Sequence, residues 1–197
     1  MATKAEQRDR TRSEIVRLAT ARFAVDGYAG VALEDLMAEA GLTRGALYHH
    51  FGSKRGLFQA VVEHAQLGVA RAVEQAATHD DVLDDFLAGC RAFLEASLAP
   101  EVRRILLIEG PAVLGWGEWR EGDLESSVRL LDEGVAELAE AGVIDDRSLD
   151  TVATMLSGAL NEVAIANAAG PDPARGIDDA VAMLRRFVLS LRPADAT

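Results

Sequence analysis

Apolar residues recur every three or four positions along nearly the whole chain, and almost no segment alternates with a period of two, so the pattern predicts an all-helical fold. Ile15, Leu18, Ala19 and Phe23 make the inner stripe of a first helix that ends near Asp26-Gly27, with the glycine as its C-terminal cap. Leu33, Leu36, Met37 and Ala40 define a short second helix, Gly41 breaks it, and residues 43–50 form a third. From Ser53 to about Ala77 the pattern runs on without proline, a helix about 36 Å long at 1.5 Å per residue. That length carries the chain out of a small three-helix head into a second bundle.

Five more helices follow. Asp80 or Asp81 starts one that reaches about Leu98, and Pro100 opens another towards Glu109. The segment from Gly110 to Gly117 holds three glycines and a proline in eight residues, which predicts a kink or loop. A long amphipathic helix spans about Glu118 to Ala141, a helix rich in Ala and Leu spans Ser148 to Ala169, and the last covers Ile177 to Leu191. The end of the chain, from Pro193 to Thr197, is expected to fray.

Composition narrows the class. With 197 residues, 49% of them hydrophobic, the chain can bury a real core. A single cysteine, Cys90, excludes an intramolecular disulfide and a cysteine-based zinc framework, as expected of a reducing cytoplasm. The first residues carry charge and no apolar run, so no signal peptide is expected, and no apolar stretch is long enough to span a bilayer. The formal charge of −12 argues against a nucleic-acid partner until its distribution is read. Residues 1–55 hold nine basic and seven acidic groups, and the 23 residues between Glu39 and Glu63 hold no carboxylate at all. Because exposed charges are screened over roughly 8 Å at physiological salt, a locally basic face can meet phosphates while an acidic body stands farther off.

The segment from Gly41 to Lys54 sits in that carboxylate-free stretch and carries the chemistry. A helix capped by Thr43 turns Leu47 and Phe51 inward and lines up Arg44 with Tyr48, and Gly45 with His49, on its outer side. Arg44 has the planar fork that suits guanine edges or phosphates, Tyr48 and His49 can donate to phosphate oxygens, and Gly45 permits close backbone approach. Ser53 caps the next helix, whose first turn carries Lys54 and Arg55. Cations there oppose the helix dipole unless an anion is supplied, and a DNA phosphate would be that anion.

Phe23, Gly27-Tyr28, Leu36, the run Ala40-Gly41-Leu42-Thr43-Arg44-Gly45, Leu47-Tyr48-His49-His50-Phe51, Ser53-Lys54 and Leu57 together resemble the N-terminal DNA-binding domain of the TetR family of transcriptional regulators. The resemblance covers about residues 8–63. It implies a helix-turn-helix DNA-binding domain over residues 1–55, and over residues 56–197 an all-helical domain for a small-molecule ligand and for dimerisation. It further implies an Ω-shaped homodimer on a palindromic double-stranded DNA operator. Carried over position by position, Thr43 and Tyr48 correspond to phosphate contacts, Arg44 and Gly45 to base readers, His49 to a backbone or base contact, and Lys54 to a phosphate anchor. The family commonly has Thr or Ser just before the second helix; this chain has Val31 and Ala32, which leaves Gly30 as the candidate cap.

For the second domain the residues offer candidates only. Phe86, Cys90, Phe93, Glu109, Trp116, Trp119, Met155 and Asn161 are the aromatic, soft or polar side chains on apolar faces or in the broken segment, hence ligand candidates. Plain packing competes with that role for Phe86, Phe93 and Met155, and Cys90 on an apolar stripe reads as an inert thiol. Leu156, Ala159, Leu160, Val163, Ala164 and Asn167 on one helix, with Val181, Leu184, Phe187 and Val188 on the next, form faces suited to a four-helix dimer interface. The same faces could instead close the monomer's own core.

No nucleophile motif, phosphate-binding glycine pattern or metal-ligand spacing occurs, so neither catalysis nor a cofactor is expected. His49 and His50 are adjacent and diverge from one helix, a poor metal pair, and His64 and His79 read as surface residues. A helical ligand-binding or protein-interaction module without specific DNA binding is the alternative reading, motivated by the acidic body.

Overall fold

Thr3 begins the first helix with a reciprocal cap: its hydroxyl accepts from the Glu6 backbone N–H, and the Glu6 carboxylate accepts from the Thr3 backbone N–H at 2.7 Å. The computed structural model describes residues 3–41, 43–76, 80–168 and 170–193, with the side chains of residues 124 and 125 set aside. Expectations for Leu42, Ala77, His79, Ala169 and the last four residues lie outside these. The described residues form α1 (Lys4–Gly30), α2 (Leu33–Ala40), α3 (Arg44–Phe51), α4 (Lys54–Ala76) and α5 (Val82–Leu98). They continue as α6 (Pro100–Arg103), α7 (Gly110–Leu114), α8 (Trp116–Asp123), α9 (Arg129–Glu140), α10 (Leu149–Ala168) and α11 (Pro173–Ser190). Two π-helical turns, Arg104–Glu109 and Leu124–Val128, interrupt the order, and among the described residues no strand occurs. The fold is all-α, as the periodicity predicts. Among the described residues no helix is long and apolar enough to cross a membrane.

The chain separates into two compact units, Met1–Ala65 with Pro100–Trp119, and Gln66–Ala99 with Arg120–Thr197. In the first, Phe23, Leu47, Leu57 and Phe58 are fully buried, with the Phe58 ring 5.1 Å from both Phe23 and Tyr28 in edge contacts. Gly27 does not end α1. It breaks it, at φ +71°, and the chain resumes helix to Gly30. The break frees backbone groups, and residues 100–119 supply their partners. Glu109 Oε2 accepts from the Tyr28 N–H at 2.6 Å, and Arg104 donates to the Val25 carbonyl at 2.7 Å and to Glu109 Oε1 at 3.2 Å. A Cβ at Gly27 would lie 2.2 Å from the Arg104 guanidinium, so glycine is required there twice over.

Several sequence boundaries move. The N-cap of α2 is Ala32, without a side-chain hydrogen bond, and Gly30 belongs to α1; Glu34 and Asp35 in the first turn of α2 complement the helix dipole instead. Gly41 takes the left-handed conformation at φ +62° and turns the chain from α2 to α3. The Gly110–Gly117 segment is helical to Leu114 and breaks at Gly115, φ +82°. The helix expected from Glu118 starts at Trp116 and passes through the second π turn. The last helix starts earlier than Ile177, because Asp172 caps it by accepting from the Arg175 N–H at 3.1 Å and Pro173 opens it.

The second unit packs α5, α9, α10 and α11 with the distal half of α4 around Leu87, Leu94, Leu138, Leu156, Ala164 and Val188. Asp81 caps α5, accepting from the Asp84 N–H at 3.0 Å. Arg91 to Asp178 at 2.7 Å and Arg185 to Asp84 join α5 to α11 at the surface.

Glu109 holds a broken helix by charge-assisted hydrogen bonds, so Glu109→Ala should lower stability by about 1.5–3 kcal/mol. The check is the midpoint of urea unfolding; an unchanged midpoint would deny Glu109 this role.

Candidate functional site

The helix α3 is built as the pattern predicts. Thr43 caps it, its hydroxyl accepting from the Ala46 N–H at 3.3 Å, and Leu47 points into the core with no exposure. Arg44, Gly45 and His49 are exposed and Tyr48 is 40% exposed, so the structure places these four with Thr43 on the open side of the head. The Arg44 guanidinium lies 5.5 Å from the Tyr48 ring centre, which holds its fork over the outer face of the helix.

The two cations that open α4 are already engaged within the first unit. Arg55 donates to both carboxylate oxygens of Glu118, at 3.2 and 2.8 Å, and to the Leu114 carbonyl at 3.0 Å. Glu118 thus supplies Arg55, one of the two cations, with an anion from within the first unit. Lys54 is half-buried, its Nζ 4.8 Å from the Tyr28 ring centre and 3.5 Å from the Ala29 carbonyl. Its ammonium thus rests on the face of the Tyr28 ring.

Arg8 and Arg12 of α1 join the head's basic groups. The Arg12 guanidinium sits 5.5 Å from the Phe51 ring, and both arginines act on His50. The imidazole of His50 is held below its ordinary value of 6.5 by burial, and then by Arg8, His49 and Arg12. Its Nδ1 is buried without a hydrogen-bond partner among the described residues.

In the second unit a cavity of about 190 Å³ opens between α4, α5, α9 and α10. It brings together four of the ligand candidates, Phe86, Cys90, Phe93 and Asn161. Burial pushes the Cys90 thiol up to about 12, so it serves as an apolar wall, as its stripe suggests. The structure does not bring Glu109, Trp116 or Trp119 here: all three belong to the first unit. Glu109 bonds Tyr28, Trp119 is 2% exposed and donates its indole N–H to the Leu106 carbonyl at 2.9 Å, and Trp116 is 60% exposed. Met155 is 56% exposed and lines a separate groove.

Sequence reasoning missed Asp123, Ser127 and Ser157, which line the same cavity and are buried. Arg120 pairs with Asp123 and donates to Ser157 Oγ at 2.9 Å, while Asn161 donates to Asp123 at 3.2 Å. Burial raises the Asp123 carboxyl above its ordinary value, opposed by Asn161 and Arg120. The signal was present: Asp123, Ser126 and Ser127 are polar residues on the inward side of a long amphipathic helix. The π turn Leu124–Val128 follows Asp123 directly and carries Ser127 and Val128 to the cavity.

The predicted dimer residues divide. Leu156, Leu160, Ala164, Leu184 and Val188 are buried in the unit's own core. Ala159 is exposed, and Val163, Asn167, Val181 and Phe187 are half-buried. A groove of about 470 Å³ runs along α10 and α11, flanked by the exposed side chains of Met155 and Met183.

Comparison with known proteins agrees with this arrangement. The profile of bacterial regulatory proteins of the tetR family matches residues 15–61, and that of the tetracyclin repressor-like C-terminal domain matches residues 83–191, more than half the chain. A TetR-family transcriptional regulator from Pectobacterium atrosepticum superposes with a TM-score of 0.81 at 34% identity, over 97% of this chain and 98% of that one. The Tn10 TetC protein of Escherichia coli is 24% identical over 185 residues, 92% of each chain. The HTH-type transcriptional repressor NicS of Pseudomonas putida is 38% identical over 61 residues, 31% of this chain and 29% of that one. The chain belongs to the TetR family of transcriptional regulators, a class of dimeric DNA-binding proteins that act by binding rather than by catalysis.

An unfolded chain takes up the His50 proton near pH 6.5, whereas the folded head resists it, so stability falls as the pH drops below about 6.5. His50→Gln removes that contribution. Urea unfolding of the two proteins at about pH 7.5 and about pH 5.5 should show a smaller acid loss in the variant; equal losses would overturn it.

Proposed function

We propose that this chain is a cytoplasmic transcriptional repressor that binds a palindromic DNA operator as a homodimer and is released by a small apolar or amphipathic effector. The observation that carries the reading is the outer face of α3. There Arg44, Gly45, Tyr48 and His49 stand exposed in the middle of 23 residues free of carboxylate. Arg44 and Gly45 read base edges, Thr43 and Tyr48 meet phosphates, His49 meets the backbone or a base, and Lys54 adds charge from its seat on Tyr28. A single eight-residue helix reads too few bases for specificity, which favours two heads on two half-sites about 34–36 Å apart. Residues 1–55 form the DNA-reading part. The groove along α10 and α11 suits a second copy, with Met155, Met183 and Phe187 as the apolar groups it would cover.

The effector site is the cavity of the second unit. The helix α4 contributes residues to both units, its first half to one and its second half to the other. An effector that favours one arrangement of the second half therefore acts on the head through one continuous helix, and a shift of a few Å between heads loses one half-site.

Selection of bound duplexes from a random library at physiological salt should recover a palindrome; a folded protein that enriches no sequence would overturn the reading. Arg44→Ala should cost about 1–3 kcal/mol of operator affinity and relax preference at one position of each half-site. Lys54→Ala should weaken all sequences alike and lower the salt slope by about one. Met183→Glu, at an exposed position, should shift the protein to monomer in sedimentation velocity without loss of helix content.

A further inference from the structure

The cavity of the second unit is apolar and aromatic over much of its wall, with Phe86, Phe93, Val128 and Leu131, and it carries a buried polar floor. Asp123, Ser157 and Asn161 line it there, at 5%, 3% and 7% exposure. Their hydrogen bonds leave two acceptors over. Arg120 and the Asn161 amide N–H both reach Asp123 through the same oxygen, Oδ2, so Asp123 Oδ1 accepts nothing among the described residues. Asn161 uses its amide nitrogen in that bond, at 3.2 Å, and its own Oδ1 likewise accepts nothing among the described residues.

These two oxygens face the cavity. The polar side-chain atoms sealed in the interior without a partner, among the described residues, are His50 Nδ1 and Ser97 Oγ. Asp123 Oδ1 and Asn161 Oδ1 are not sealed in that way, and what they open onto is the cavity that their residues line. An acceptor on a nine-tenths buried side chain that meets no donor costs free energy, and a donor brought into the cavity returns it. The floor calls for a donor and not for a counter-ion, because Arg120 already balances the Asp123 charge. The other carboxylates on the lining make no such demand: Glu74, Glu133 and Glu137 are exposed to water, and Asp85 is half-buried with a partner of its own.

We propose that this cavity takes a small neutral aromatic alcohol, a single ring whose hydroxyl donates to Asp123 Oδ1 while its faces and edges pack against Phe86 and Phe93. The inference rests on the reading of this cavity as the effector site and adds the class of effector. A hydroxyl that donates to an ionised oxygen makes one of the stronger hydrogen bonds, and the ring supplies the apolar contact that a water molecule in the same place lacks. Size agrees: a cavity of about 150 Å³ accommodates benzene, and this one, at about 190 Å³, leaves room for a hydroxyl and a short alkyl group. Rejection follows from the same floor. A ring without a donor leaves both oxygens unmet, and an ether in place of the hydroxyl sets a third acceptor against them.

The test uses the full-length protein and three probes of nearly one shape, 4-ethylphenol, its methyl ether and ethylbenzene, each titrated calorimetrically. The phenol should bind about ten- to a hundredfold more tightly than ethylbenzene, and the ether no better than ethylbenzene. Asp123→Asn should remove at least about half of the phenol's advantage on a logarithmic scale and leave ethylbenzene unchanged, a split that general loosening of the core does not produce. Helix content by circular dichroism establishes that the variant is folded, and the three probes on the unaltered protein decide the matter if it is not. Binding of ethylbenzene or of the ether as tight as that of the phenol would overturn the proposal. So would failure of all three to bind, or a full phenol advantage in folded Asp123→Asn. Selection of DNA by the same preparation separates the two readings. A recovered palindrome with no phenol binding defeats the effector class alone, whereas phenol binding with no enriched duplex defeats the regulator reading and leaves the donor site standing.

Discussion

The cost of taking a carboxylate out of water organises the second unit. An ion removed to the interior costs several kcal/mol unless partners replace its hydration, and Asp123, 5% exposed, has replaced it with Arg120 and Asn161. That requirement accounts for polar residues that otherwise disturb an apolar helix. Ser157 and Asn161 sit on the buried face of α10 because Arg120 and Asp123 of α8 need them there. The π turn then advances the following residues by part of a turn, so that Ser127 and Val128 reach the cavity rather than solvent. Packing around the ion cluster is thus what leaves an apolar space with a polar floor.

The first unit uses a carboxylate differently. Gly27 interrupts α1 and leaves the Tyr28 N–H without a helical acceptor; Glu109 supplies one, and Arg104 secures both the Glu109 carboxylate and the Val25 carbonyl. Glu118 does the same for Arg55. These acids neutralise cations on the inner side of the head and leave the outer side of α3 to Arg44, Tyr48 and His49. Charge that appears in the sequence as a single basic stretch is sorted by the fold into structural and free groups.

Local patterns carried much of this. The helical period, the left-handed turn at Gly41, the Thr43 cap and the inward Leu47 need only residues a few positions apart, and they were legible in the sequence. So were Phe86, Cys90, Phe93 and Asn161, which the structure gathers around one cavity. What the sequence did not disclose depends on partners far along the chain. Glu109 and Tyr28 are 81 positions apart, Arg55 and Glu118 are 63 apart, and Asp123 and Asn161 are 38 apart. No local window shows such pairs. The two π turns were not read from the sequence either. Trp119 illustrates the limit: an aromatic beside a broken segment suggested a ligand wall, and it is a core residue whose indole is satisfied by a backbone carbonyl.

The first unit is discontinuous along the chain, joining residues 1–65 to residues 100–119. Its head is therefore not a portable cassette. A chimera that grafts only the first 65 residues onto a foreign body strands the Tyr28 amide, the Val25 carbonyl and the Arg55 fork, each of which finds its partner in the second stretch. Exchange of reading heads between such proteins must carry both stretches together, so sequence drift in the seemingly remote segment 100–119 is constrained by the head it completes rather than by the ligand.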